Sequence, residues 1–341
     1  MPRSNNSIYV IAEIAQAHDG SLGMAHSYID AAAKAGADAV KFQTHIASAE
    51  STLAEPWRIK FSKQDNSRYE YWKRMEFSKE QWTGLKLHCE EQRVDFISSP
   101  FSVEAFNMLS EIGVNYWKVA SGEANNTILF EKISQSGLPV FLSTGMSPLS
   151  EIDKAVDILK KGTNDITVMQ CTSMYPTPPE KTGLNMIEFF KERYNCKAGL
   201  SDHSGKIFAG LAAAALGANA IEVHLTFSRD SFGPDVPVSL TVDELAQLTK
   251  GVKEISQMWN NPVNKDEVAN ELKDMREMFN KSIVAGEDIQ KGTILTPDNI
   301  AFKKPGTGLS PDKADLILGK KTIRELFRDE IISLSDIDEN K

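Results

Sequence analysis

Two histidines bracket one short unit of the chain. His203 closes the polar cluster GLSDH, His224 closes EVH, and a small-residue run separates them. The chain has only six histidines in 341 residues. These two fall just after the seventh predicted strand and within the eighth, where neighbouring strands would bring them together on one divalent cation. Imidazole suits Mn, Fe or Zn better than Mg. Taken singly, each ring reads more readily as a core or hydrogen-bonding side chain; the matched placement is what favours a metal pair. His18, past the first predicted strand, is a candidate third ligand or substrate contact, whereas His26, His45 and His88 are expected on helix or loop surfaces. Lys41 in AVKFQT and Lys118 in YWKVAS interrupt apolar runs, which is costly unless each amine is paired or faces a polar cavity. Two such lysines would clamp a phosphate or carboxylate as point charges. A Schiff base through one of them and a buried structural ion pair are the alternatives. Glu13 and Glu123 would be their partners, or would bind hydroxyls and move protons. The stretches ASGE (120–123) and LSTG (142–145) offer N–H and O–H donors to an anion. Together these residues point to metal-assisted chemistry on a phosphorylated substrate.

The elements that must position them repeat as a β-branched run, a polar loop and an amphipathic or Ala-rich stretch. Roughly eight such units precede residue 261, the length of a (β/α)8 TIM barrel, and no GxGxxG follows the first strand to favour an open dinucleotide-binding sheet. Active sites of such barrels lie at the C-terminal ends of the strands. Glu13, Lys41 with Gln43, Ser98, Lys118, Ser143, Thr172, Ser201 with Asp202 and His203, and His224 all fall there. Residues 1–261 therefore read as the catalytic barrel, with the 45–77 insertion as a barrel loop. Residues 262–280 read as a charged helical linker and 281–341 as a small β-rich domain. The net charge of −9 argues against a nucleic-acid partner held by bulk positive charge. Three cysteines without a CxxC pair, no signal-peptide pattern and no run of eighteen apolar residues lead to the expectation of a cytoplasmic protein away from the membrane.

At these same residues the chain resembles the sialic acid (nonulosonic acid) synthase family. The matching stretches are IAEIAQAHDGSLGMA, AGADAVKFQTH, FISSPFS, YWKVASGEANN, LSTGMS, CTSMYPTP, GLSDHS, EVHLT and GPDVPVSL. The C-terminal VAGEDIQKGTILTPDNIAFKKPG resembles the antifreeze-like, or SAF, domain that follows the barrel in that family. The resemblance implies condensation of phosphoenolpyruvate (PEP) with N-acetylmannosamine or a related N-acyl hexosamine and release of phosphate. A diacetamido-trideoxyhexose, giving legionaminic or pseudaminic acid, is the competing acceptor. By that resemblance His203 and His224 would hold Mn²⁺, or another divalent ion such as Mg²⁺ or Co²⁺. Lys41, Lys118, Ser121, Ser143, Ser173 and Ser201 would hold PEP, and Gln43 would join the substrate-binding set. Glu13, Glu123, Tyr175 and Asp235 would position sugar and water or move protons. A domain-swapped homodimer is implied, with Lys304 of the SAF loop reaching the partner's sugar. The chain departs from the family pattern at Ala17 before His18, Ser173 where Asn is frequent, Val223 before His224, and Lys304 where Arg is common. Lysine lacks the bidentate fork of arginine, so the departures bear on acceptor identity more than on reaction type.

Overall fold

The apolar runs fold as parallel strands: β1 (Tyr9–Ala15), β2 (Ala39–Thr44), β3 (Asp95–Pro100), β4 (Trp117–Val119), β5 (Val140–Ser143), β6 (Ile166–Cys171), β7 (Lys197–Asp202) and β8 (Ala220–Thr226). Each pairs with the next and β8 pairs back onto β1, which closes the (β/α)8 barrel that the repeat predicted. A ninth short strand, β9 (Ser239–Thr241), runs beside β8. The computed structural model describes residues 7–338, which divide between Asn261 and Pro262 into two units.

The strands read as near-continuous apolar runs because both faces are covered. Inside the barrel, Ile11, Ala39, Ile97, Phe141, Met169 and Ala220 form an apolar plug. Outside it, the strands pack on α1 (Leu22–Lys34), α4 (Lys79–Glu91), α5 (Val103–Ile112), α6 (Thr127–Ser136), α7 (Leu149–Leu159), α8 (Met186–Tyr194), α9 (Ile207–Ala215) and α10 (Val242–Asn260), whereas α2 (Ala47–Glu50) and α3 (Arg68–Met75) contribute nothing to that core. The two short helices α2 and α3 structure the 45–77 insertion. Helix α4 starts on a capping box, with Ser78 and Gln81 satisfying each other's backbone N–H groups. The small-residue run between the two key histidines is α9. A Cβ on its Gly210 would stand 2.8 Å from Leu248 Cδ1, so glycine lets α9 lie directly against α10.

The second unit begins with two helices, α11 (Lys265–Glu271) and α12 (Lys273–Phe279), in the stretch expected to form a charged helical linker. Its remaining core of Ile283, Ile289, Leu295, Ile317, Leu326 and Ile332 lies beneath turns. Strands β10 (Ser282–Ala285) and β11 (Ile300–Lys303) form one antiparallel pair, supplemented by isolated bridges. The strand content is thus sparser than the alternating pattern implied, because Gly and Pro turns cut each run to four residues or fewer. Among the described residues no helix is long and apolar enough to cross a membrane.

Candidate active site

Register sets the height of the chemistry. Glu13 on β1 is the partner of Lys41 on β2 and of His224 on β8, so three strands present one polar row above the apolar plug. Lys41 Nζ lies 2.7 Å from Glu13 Oε2 and 3.6 Å from Glu222 Oε1, and Lys118 Nζ lies 3.5 Å from that same Glu222 oxygen. Lys118 donates to Ser143 Oγ at 2.7 Å, and Ser201 donates to Glu222 at 3.1 Å. The four charged side chains are at most 4% exposed. Burial raises the Glu222 pKa, but the Lys118 and Lys41 charges outweigh it and hold the carboxyl at about 2. Glu13 goes the other way. Burial, with Glu222 adding repulsion, outweighs Lys41 and leaves its carboxyl raised. The two carboxylates compete for Lys41, and Glu222, which has both ammoniums, is the better ionised. Oε2 of each accepts no directed hydrogen bond, although Glu13 Oε2 keeps its ionic contact with Lys41. Burial depresses Lys118, while the two carboxylates overcome burial at Lys41 and raise it.

These side chains line one cleft of about 470 Å³. Next to the charged cluster, Gly145 N donates to Ser121 Oγ at 3.0 Å. A Cβ on Gly145 would fall 2.4 Å from Ser173 Oγ, 2.8 Å from Ser121 Oγ and 2.9 Å from Cys171 Sγ. Glycine there keeps open a cradle of small polar groups. Across the cleft the rings of His203 and His224 stand 5.2 Å apart. His203 Nδ1 lies 2.9 Å from the Thr172 carbonyl, which leaves Nε2 facing the Tyr175 hydroxyl at 3.2 Å. A carbonyl fixing one nitrogen while the other faces the cleft is the arrangement of a histidine that ligates once Nε2 gives up its proton. Burial depresses His224 to about 4, the neutral ligating form. At His203 burial is outweighed by the Cys171 sulfur, which raises the ring to about 9, so a cation arriving there displaces a proton. Among the described residues no group of three His, Cys, Asp or Glu is placed to hold a metal. The donor set fits a divalent ion held by two imidazoles, with its other positions left to substrate and water.

The structure gathers Glu13, Lys41, Gln43, Lys118, Ser121, Glu123, Ser143, Ser173, Tyr175, Ser201, His203, His224 and Asp235 around this cleft. Glu123 is raised by burial and accepts from Asn126 at 2.8 Å. Lys304 belongs to the second unit, where its amine sits 4.9 Å from the centre of the Phe279 ring. Four expectations need correction. His18 is no site residue: it is 1% exposed, tilts against Phe77 at 4.8 Å and accepts from Gly20 N at 3.1 Å. Ser98 is buried on Thr44, and Asp202 caps Ser204. His45, expected on the surface, is 3% exposed and lines the cleft.

Several lining residues were not singled out in the sequence. Glu222 was legible, since it lies two residues before His224 on the same face of a strand. Gln16, Glu50, Arg58 and the aromatics Trp57, Phe61, Tyr71, Trp72 and Phe101 carry no comparable signal. Most of them come from the insertion after β2, whose charged and aromatic richness was the only hint. Arg58 spans to the loop after β8: its guanidinium lies 4.3 Å from the centre of the Tyr175 ring and donates to Asp235 Oδ1 at 3.1 Å.

Comparison with known proteins gives the same picture. The profile of the NeuB family matches residues 28–264, and that of the SAF domain matches residues 280–338. The N,N'-diacetyllegionaminic acid synthase of Campylobacter jejuni is 34% identical over 329 residues, covering 95% of this chain and 98% of that protein. The human N-acetylneuraminate-9-phosphate synthase is 32% identical over 330 residues, covering 95% and 91%. The crystal structure of an N-acetylneuraminic acid (sialic acid) synthetase from Leptospira borgpetersenii superposes with a TM-score of 0.70 at 33% identity, covering 80% of this chain and 92% of that one.

Proposed function

The chain belongs to the NeuB family and is a nonulosonic acid synthase, and on that premise we propose that it joins PEP to an N-acyl hexosamine with release of phosphate. The observation that carries the reading is the pair of buried lysines, Lys41 and Lys118, facing a hydroxyl and glycine cradle across from two convergent imidazoles. A phosphorylated carboxylic acid needs two fixed cations and short donors in a water-poor cleft, and those residues supply them.

In this reading the ammoniums of Lys41 and Lys118 take the phosphate and carboxylate of PEP, with Ser121, Ser143, Ser173 and Ser201 donating. The π electrons of the enol form the bond from C3 to the sugar's aldehyde carbon, whose oxygen takes up a proton. Water adds to the cationic C2, the C2–O bond breaks, and phosphate leaves. Glu13, whose carboxyl is raised by burial, stands beside Lys41 as the group that exchanges protons with the sugar oxygen or the water. Glu123, Tyr175 and Asp235 orient the acceptor. Bound at His203 and His224, Mn²⁺ would supply Lewis acidity to the aldehyde. The same reading includes a homodimer with Lys304 contributed by the partner chain, and a cytoplasmic location.

One observation favours a second reading. Lys118 is depressed by burial, as a Schiff-base lysine requires. A single assay separates the two. Chelator-stripped protein is given PEP, Mn²⁺ and either N-acetylmannosamine or a diacetamido-trideoxyhexose, and phosphate is measured. Release that requires both metal and one of the sugars is expected, and the sugar that works names the product. Chelator-resistant activity lost to borohydride would instead establish the aldolase.

A further inference from the structure

His45 enters the structure as part of an unbroken hydrogen-bonded chain that ends on Glu13. It stacks between Trp72 and Phe101, with ring centres 4.1 and 4.5 Å away. Its Nδ1 lies 2.6 Å from Glu50 Oε1, and its Nε2 lies 2.8 Å from Gln16 Nε2. Gln16 Nε2 also donates to Gln43 Oε1 at 2.5 Å, and Gln43 Nε2 donates to Glu13 Oε1 at 2.7 Å. With Glu13 accepting at Oε1, one assignment of protons satisfies every link. A carboxylate only accepts, so Glu50 requires the proton on Nδ1. Nε2 then accepts from Gln16, whose second N–H serves Gln43 and leaves Gln43's own N–H for Glu13. Turning either amide alone sets oxygen against oxygen and breaks the chain; turning both would need a protonated Glu13 and protons on both ring nitrogens.

We propose that His45 and Glu50 are positioning residues, which fix the amide of Gln43 through Gln16 and so hold the Glu13 carboxyl in its reactive orientation. The proposal rests on the synthase reading for the meaning of "reactive". Its physical basis does not, because a buried carboxyl shared between Lys41 and Gln43 would turn once the amide lost its direction. The ring reaches Glu13 through the two glutamines: Nε2 also stands 3.3 Å from Gln43 Oε1, so the amide of Gln16 sits between the ring and Gln43 as the donor to both. Buried polar networks of this kind are informative because a single missing partner reorients the rest.

Two measurements test it. In resting protein labelled with ¹⁵N-histidine, His45 should show a protonated Nδ1 and a free Nε2 at neutral pH. The opposite tautomer overturns the proposal whether or not the protein is a synthase. In the phosphate-release assay, His45→Phe keeps the aromatic stack and removes both nitrogens. It should lower kcat about 10- to 100-fold by loosening Glu13, and leave KM for PEP and sugar nearly unchanged. Gln16→Met should do the same, the double variant should be no worse than either single one, and Glu50→Gln, which keeps an accepting oxygen for Nδ1, should retain most of the wild-type rate. A kcat unchanged in His45→Phe, or losses that multiply in the double variant, would sink the idea. Should His45→Phe fail to fold, Gln16→Met and Glu50→Gln carry the same comparison. Correct tautomer with no PEP-dependent phosphate release by the wild type would condemn the synthase reading instead.

Discussion

The floor of the cleft and its rim bury charge in opposite ways. On the floor, Glu13, Lys41, Lys118 and Glu222 are nearly sealed from solvent, and each charge has an opposite within 3.6 Å. At the rim, Arg58 is 41% exposed and pairs with an Asp235 side chain that is 19% exposed. Desolvation makes the floor charges mutually dependent, whereas water screens the rim pair and lets either partner act alone. The floor charges therefore bear on stability as a group, and under the proposed function they also hold the PEP. The rim can vary with little cost to stability and, under the proposed function, is where a choice of acceptor would be made.

Lys41→Met is the strongest way to break that distinction. It leaves Glu13 without its cation and strips Glu222 of one of two, so denaturant unfolding should show a loss of about 3–5 kcal/mol. Phosphate release should vanish with it. Glu13→Gln sharpens the contrast within the floor. Because burial already disfavours the Glu13 carboxylate, a neutral amide there should cost less stability than the loss of the Glu222 charge, while kcat falls by about 10² to 10⁴. Glu222, held ionised by two lysines, should show the larger loss, with Glu222→Gln lowering the melting temperature substantially. Equal stability losses from the two glutamate variants would show that the floor is a single undivided ion cluster.

The same contrast explains what the sequence disclosed. A charge inside an apolar run announces itself, so Glu13, Lys41, Lys118 and His224 could be picked out with no structure. Parallel strands buried on both faces gave the barrel its pattern, and its closure followed from the count. Glu222 carried the same signal, two residues from His224, and went unread. His45 carried none: it follows β2 at the start of a polar, helix-poor insertion, and its burial depends on Trp72 and Phe101 arriving from remote segments. Arg58 likewise looks like any loop arginine until the chain brings it 177 residues across to Asp235. His18 misled for the converse reason. Its position past a strand end suited a ligand, but the chain turns there and drives the ring into the aromatics beneath the insertion.

That burial yields a smaller effect, away from both floor and rim charges. Burial depresses His18 from 6.5 to about 3, so the folded protein keeps the ring neutral while the unfolded chain protonates it. Between those values the unfolded state binds more protons. Stability thus declines as pH drops below 6.5 and stops declining from this source near 3. At pH 5 the loss from this one ring amounts to about 2 kcal/mol relative to neutral pH. In His18→Gln, urea unfolding at pH 7 and pH 5 should differ by about that much less than in the wild type. An unchanged pH slope would mean the ring is reached by water and is not truly part of the core.

The smallest stability effect is expected at the rim, where it separates binding from folding most cleanly. Arg58→Ala removes an exposed ion pair, and such pairs contribute about 0–1 kcal/mol, so unfolding should barely shift. The guanidinium nevertheless covers the Tyr175 ring and draws Asp235 over the cleft. Both of those residues line the cleft and, under the proposed function, orient the acceptor. Removing Arg58 should therefore raise KM for the sugar about 5- to 10-fold, with KM for PEP and the pre-steady-state rate of the chemical step nearly unchanged. Lysine at this position keeps the charge but not the planar fork that lies over an aromatic ring while holding a carboxylate, so Arg58→Lys should recover only part of the affinity. If instead KM for PEP rises with that for the sugar, the rim and floor are one binding surface, and the division drawn between them fails.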